Sequence, residues 1–62
     1  MKYEVYVKYR DKKKLKNYQV AKMTGVSEQY LSMWKRKVFN PNPKTIKKVI
    51  ELLEIPLEEV LK

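Results

Sequence analysis

The chain has 62 residues, a formal net charge of +8 from fifteen Lys and Arg against seven Asp and Glu, and neither Cys nor His. At this length there is one domain and one small core, which buries only about 60% of the surface exposed by the unfolded chain; a catalytic cleft walled by two layers of structure does not fit. Disulfides and the common zinc sites are excluded by composition, so stability must come from efficient helix packing, a partner subunit, or both.

The charge excess points to a polyanionic partner, either nucleic acid or an acidic membrane surface. Residues 1–37 carry eleven basic and three acidic side chains and residues 38–62 carry four of each, so the whole excess lies in the first 37. No apolar run approaches the roughly 20 residues of a membrane span, and the start, MKYEVYVKYR, lacks the apolar core of a secretory signal. The chain is read as cytoplasmic.

The first element is locally ambiguous, and its local signal favours a strand over a helix. Tyr3, Val5, Val7 and Tyr9 alternate with Lys2, Glu4 and Lys8 at the strand period, whereas Val5, Tyr6 and Tyr9 also fit one side of a helix. Lys12, Lys13, Lys14 and Lys16 follow, a solvated turn that also supplies long-range attraction to a polyanion.

From Lys16 or Asn17 a helix carries Val20, Ala21 and Met23 and closes at Gly25, which supplies the left-handed conformation of a helix end without steric cost. Val26 is the apolar residue of the turn, and Ser27 caps the next helix. Ala21 is the small residue where two helices cross closely. Together these segments fit a helix-turn-helix over about residues 17–37.

In the helix after Ser27, Leu31, Trp34 and Val38 fall on one narrow face, the expected buried one. Gln29, Ser32, Met33 and Arg36 lie opposite. Such an outward face suits the DNA major groove, where Gln pairs with the adenine edge, Met packs on a thymine methyl, and Arg reaches guanine or phosphate. Glu28 either accepts from cytosine or is only a favourable charge at a helix N-terminus. Trp34 and Leu31 read as core, and Tyr30 as packing or a phosphate donor. A turn-rich loop, Phe39–Asn40–Pro41–Asn42, leads to a helix of about three turns with Asn42 as N-cap, Pro43 in its first position, and Ile46, Val49, Ile50 and Leu53 on its apolar face. Pro56 ends it, and Leu57 to Leu61 start a further short helix with Glu58 and Glu59 in its first turn. Phe39, Leu57, Val60 and Leu61 exceed the apolar surface that one short terminal helix needs, which suggests a dimer contact.

Leu15, Val20–Ala21, Thr24–Gly25–Val26–Ser27, Leu31, Trp34, Pro41, Ile46, Val49 and Leu53–Glu54–Ile55–Pro56–Leu57 resemble the Cro/C1-type helix-turn-helix repressors, the XRE family, over about Tyr6 to Leu61. The resemblance implies a single all-α domain, a compact five-helix lambda-repressor-like DNA-binding fold, and makes the first segment a helix. It also implies sequence-specific binding of double-stranded DNA as a homodimer on a two-fold operator, in a small phage- or plasmid-type repressor. Glu28, Gln29, Ser32, Met33 and Arg36 are the candidate base readers. Asn17, Tyr30, Lys35, Lys37, Asn40 and Lys44 are the candidate phosphate contacts.

Three positions depart from the family. It often has an acidic residue where Lys35 stands, a glycine at Lys37 and a glutamine at Asn17. Loss of the acidic residue removes an ion pair with Arg10, so Arg10 and Lys35 are both expected to turn outward toward phosphate. Loss of the glycine suggests that the recognition helix runs on toward Val38.

Nothing in the sequence suggests an enzyme, a cofactor, a metal or a small-molecule ligand. A competing binding-module reading is an antitoxin or adaptor that mainly holds a protein partner. A peripheral membrane peptide fits less well, because the charge is not laid along one amphipathic helix.

Overall fold

The structure, a computed structural model, describes residues 1–61. Its five helices are α1 (Tyr3–Lys12), α2 (Asn17–Thr24), α3 (Glu28–Lys35), α4 (Lys47–Leu53) and α5 (Leu57–Val60), with no strand among the described residues. The N-terminal segment is therefore helical despite its strand-like alternation. Tyr6 decides the matter: in a helix it enters the core completely, with Tyr3 one turn before it and Arg10 one turn after it on the same side.

The core comprises Tyr6, Val20, Leu31, Trp34, Ile46, Val49, Leu53, Ile55 and Val60. All five helices thus place at least one residue there, and α2 lies centrally, packed on both α3 and α4. Trp34 joins the helices at one end, its ring 5.1 Å from that of Tyr3 in an edge-on arrangement and 5.2 Å from that of Tyr6. Such aromatic pairs contribute roughly 0.5–1.5 kcal/mol beyond the area they bury.

The turn between α2 and α3 forms as its residue types dictate. Gly25 adopts φ +81° and donates its N–H to the Ala21 carbonyl. Thr24 is buried; its Oγ1 donates to the Val20 carbonyl at 2.7 Å and accepts from the Val26 N–H at 3.3 Å. Ser27 Oγ accepts from the Tyr30 N–H at 3.0 Å, satisfying one of the unpaired donors of the first turn of α3. At the start of α2 the Lys16 N–H donates to Gln19 Oε1 at 2.8 Å. Lysine has no acceptor to offer in return, so this is half of a capping box.

Three other helices end on left-handed residues that are not glycine: Lys14 at φ 56°, Lys37 at φ 60° and Glu54 at φ 55°. Each end carries the same pair of backbone bonds. At α3 the Val38 N–H reaches Met33 O (3.1 Å) and the Lys37 N–H reaches Trp34 O (2.9 Å), the 6→1 and 5→2 pattern of a left-handed cap. Leu15 with Arg10 and Lys14 with Asp11 repeat it at α1, and Ile55 with Ile50 and Glu54 with Glu51 at α4.

The cap at Lys37 overturns two expectations. Helix α3 stops at Lys35 instead of running on, and the reversal carries Val38 off the buried face, leaving it 60% exposed. Met23, expected on the inner side of α2, is likewise exposed because only one narrow stripe of that helix meets α3 and α4. The fourth helix is shorter than expected. Asn42 does cap the segment, its Oδ1 accepting from the Lys44 N–H at 2.8 Å, but residues 43–46 form turns and α4 proper holds seven residues. Among the apolar residues assigned to a dimer contact, Val60 is in the core and Phe39 is half-buried against Tyr30, ring to ring at 4.8 Å; Leu57 and Leu61 remain exposed.

Candidate nucleic-acid interface

The division of α3 into two faces places the candidate groups. Burial of Leu31 and Trp34 fixes the helix's rotation, and Glu28, Gln29 and Ser32 then stand exposed with Met33 half-exposed beside them. Arg36 is the C-cap residue, exposed just beyond the last turn. A carboxylate, a carboxamide, a hydroxyl and a thioether on one exposed helix side offer the donors, acceptors and apolar contact needed to discriminate base edges.

Lys35, Lys37, Asn40 and Lys44 are exposed around the end of α3 and the loop that follows. Neither Lys35 nor Lys37 nor Lys44 has an ion-pair partner among the described residues. Tyr30 is half-buried; burial raises its phenol pKa, partly offset by a hydrogen bond with Thr45. Its ring packs on Phe39, so its first role is to hold the loop to α3.

Asn17 and Arg10 anchor a cluster of side-chain hydrogen bonds, and Arg10 departs from the outward orientation expected for it. Asn17 Oδ1 accepts from the Tyr6 hydroxyl at 2.6 Å and from Arg10 Nη1 at 2.9 Å, while Asn17 Nδ2 donates to the Tyr3 hydroxyl at 3.1 Å. The other side of the guanidinium donates to Asp11 Oδ1 from Nε (3.2 Å) and Nη2 (2.9 Å). The Arg10 side chain is only 19% exposed. With no carboxylate at position 35, Asp11 and the Asn17 carboxamide satisfy it instead.

The electrostatics match this geometry. Burial pushes the Tyr6 phenol up to about 12, against a smaller lowering by the Arg10 charge. For Arg10, burial opposes the charged form, but the hydrogen bond and charge of Asp11 outweigh it and its pKa rises. Sequence patterning had not joined these residues. The available signal was Tyr3, Tyr6 and Arg10 along one side of a helix, with an amide at the first position of the next.

An all-α domain with a Gly-centred helix-turn-helix, a polar outer face on the second helix and unpaired lysines around its end defines a nucleic-acid-binding class of protein. The sequence model of the helix-turn-helix family, of Cro/C1 (XRE) type, matches residues 8–60. The chain belongs to that family, whose members are DNA-binding regulators. No curated protein and no solved structure matches it. No helix among the described residues is long and apolar enough to cross a membrane.

Proposed function

We propose that the chain is a sequence-specific transcriptional regulator of the cytoplasm, a small repressor of phage or plasmid type, that lays α3 in the DNA major groove. The observation that carries this reading is the two-faced α3: Leu31 and Trp34 buried, Glu28, Gln29 and Ser32 exposed. Gln29 and Met33, with Glu28, Ser32 and Arg36, read bases. Asn17, Tyr30, Lys35, Lys37, Asn40 and Lys44 contact the phosphate backbone and set register without reading sequence.

The working unit is a homodimer on a two-fold operator, with recognition helices about 34 Å apart. Leu57 and Leu61 support it, being 69% and 73% exposed within residues 38–62, whose charges cancel. Leu57 lines a shallow groove of about 400 Å³ together with Pro43, Ile50, Ile55 and Val60, and Lys44 and Lys47 flank these apolar residues.

Selection of bound duplexes from a random DNA pool tests the proposal. A palindromic enriched site is the expected result. Enrichment of no sequence at moderate salt overturns base reading, and one protomer per selected site at saturating protein overturns the dimer.

A further inference from the structure

A cavity of about 640 Å³ opens between the start of α1 and the loop after α3. Its aromatic walls are Tyr3, Trp34 and Phe39, and Lys2, Lys37 and Asn40 bring polar groups to it. Glu4 is the one acidic residue lining it. The walls are held from behind, Tyr3 by the ring of Trp34 and the Asn17 amide, and Phe39 by the ring of Tyr30. Lys37 is held by the paired backbone bonds that close α3. Neither Lys2 nor Lys37 has an ion-pair partner among the described residues.

Two ammonium groups without ion-pair partners among the described residues and a carboxamide beside aromatic walls match an anion that carries its own apolar face. We propose that this cavity seats one phosphodiester of the operator backbone, with Lys2, Lys37 and Asn40 on the phosphate and the half-buried rings of Tyr3 and Phe39 against the adjoining deoxyribose, the buried Trp34 forming the floor. The proposal rests on the DNA-binding reading above and deepens it, because it recruits α1 to the interface and assigns Lys2 a contact. A single phosphate is then gripped from two elements distant in the chain, which fixes α1 and the loop together on the DNA. Glu4 opposes the same phosphate and moderates the affinity.

The test compares Lys2→Ala, Lys37→Ala, Glu4→Gln and Lys8→Ala on the selected operator at about 50 and about 200 mM salt. Lys8 is an exposed lysine of α1 that does not line the cavity, and serves as the control. Lys2→Ala is expected to lower the slope of log affinity against log salt by about 0.9, so that its loss relative to wild type changes about threefold between the two salts. The loss is the same on operator and random duplex, and Glu4→Gln strengthens binding. Replacing one operator phosphate by an uncharged methylphosphonate removes the effects of Lys2→Ala and Lys37→Ala together.

Lys2→Ala behaving as Lys8→Ala does, on a wild-type protein that binds its operator selectively, overturns the cavity assignment alone. So does silencing of the Lys2 and Lys37 effects by methylphosphonates at different positions. A mononucleotide that saturably quenches Trp34 emission at micromolar concentration assigns the cavity to a free nucleotide instead. A wild-type protein that binds no duplex overturns both this proposal and the function it rests on.

Discussion

The Tyr6 hydroxyl and the Asn17 carboxamide oxygen lie 2.6 Å apart, and this contact ties the middle of α1 to the first residue of α2. Removing the shared acceptor strands two donors at once, Tyr6 and Arg10. Asn17→Ala is therefore expected to cost about 1–3 kcal/mol, the range for leaving partly buried polar groups unpaired. Asn17→Asp keeps the acceptor and is expected to retain most of that stability. Urea denaturation of the two variants separates the outcomes; equal midpoints for Asn17→Ala and wild type would remove the contact's structural role.

Tyr6 also makes stability depend on pH at the alkaline end. Its folded pKa of about 12 lies above the ordinary 10.0, so the folded state holds a proton that the unfolded state has released. The associated stabilisation is present in full below pH 10 and is lost as pH rises from about 10 to about 12, with a size of the order of 2 kcal/mol. Tyr6→Phe has no such proton, and its stability is expected to decline less over that interval. Parallel declines for the two proteins would show that lysine neutralisation alone governs the loss.

Left-handed helix ends give a paired test of backbone strain. A methyl group added at Gly25 meets nothing within 4 Å, so any loss on Gly25→Ala comes from φ +81° alone, about 1 kcal/mol. Lys37→Gly works in the opposite direction. It relieves a side chain held at φ 60° and is expected to raise stability by about 0.5–1 kcal/mol while weakening DNA binding on all sequences alike. Calorimetry together with operator titration reads both effects; a fall in melting temperature for Lys37→Gly would contradict the strain.

Gln29→Ala should behave unlike any lysine variant. A lost bidentate contact costs about 1–3 kcal/mol on the preferred operator and relaxes selectivity at one base position per half-site. Binding to random duplex is expected to change little. A uniform loss across sequences would remove Gln29 from the reading face.

Lys35→Glu restores the acidic residue that relatives often carry, yet Arg10 is already engaged by Asp11 and Asn17. The stability gain from a new exposed pair is then below about 0.5 kcal/mol. Operator affinity is expected to fall, most steeply at low salt where exposed charges are least screened. Affinity unchanged at low salt would place Lys35 away from the DNA.

The helix-turn-helix was legible in the sequence because its chemistry is local. Gly25 and Ser27 act through their own backbone and the next turn, and both adopt the expected conformations. The same logic missed Lys37. A lysine in the left-handed region carries no compositional mark, so the end of α3 and the exposure of Val38 could not be read from periodicity. For α1, alternation and helical spacing competed within ten residues, and only docking on Trp34 separates them. Val60 and Phe39 looked superfluous because their partners, the shared core and Tyr30, are distant in the chain or on another element.

The crowded indole of Trp34 has a consequence for observing the molecule. It is the chain's one tryptophan, and two tyrosine rings of α1 lie within 5.2 Å of it. Light absorbed by Tyr3 and Tyr6 passes to the indole while α1 is docked, so these two rings add to tryptophan emission in the native state. Release of α1 raises tyrosine emission by the share of Tyr3 and Tyr6 even if α2 and α3 stay folded. Two emission bands thus time the departure of the first helix separately from the loss of helical content, without any label.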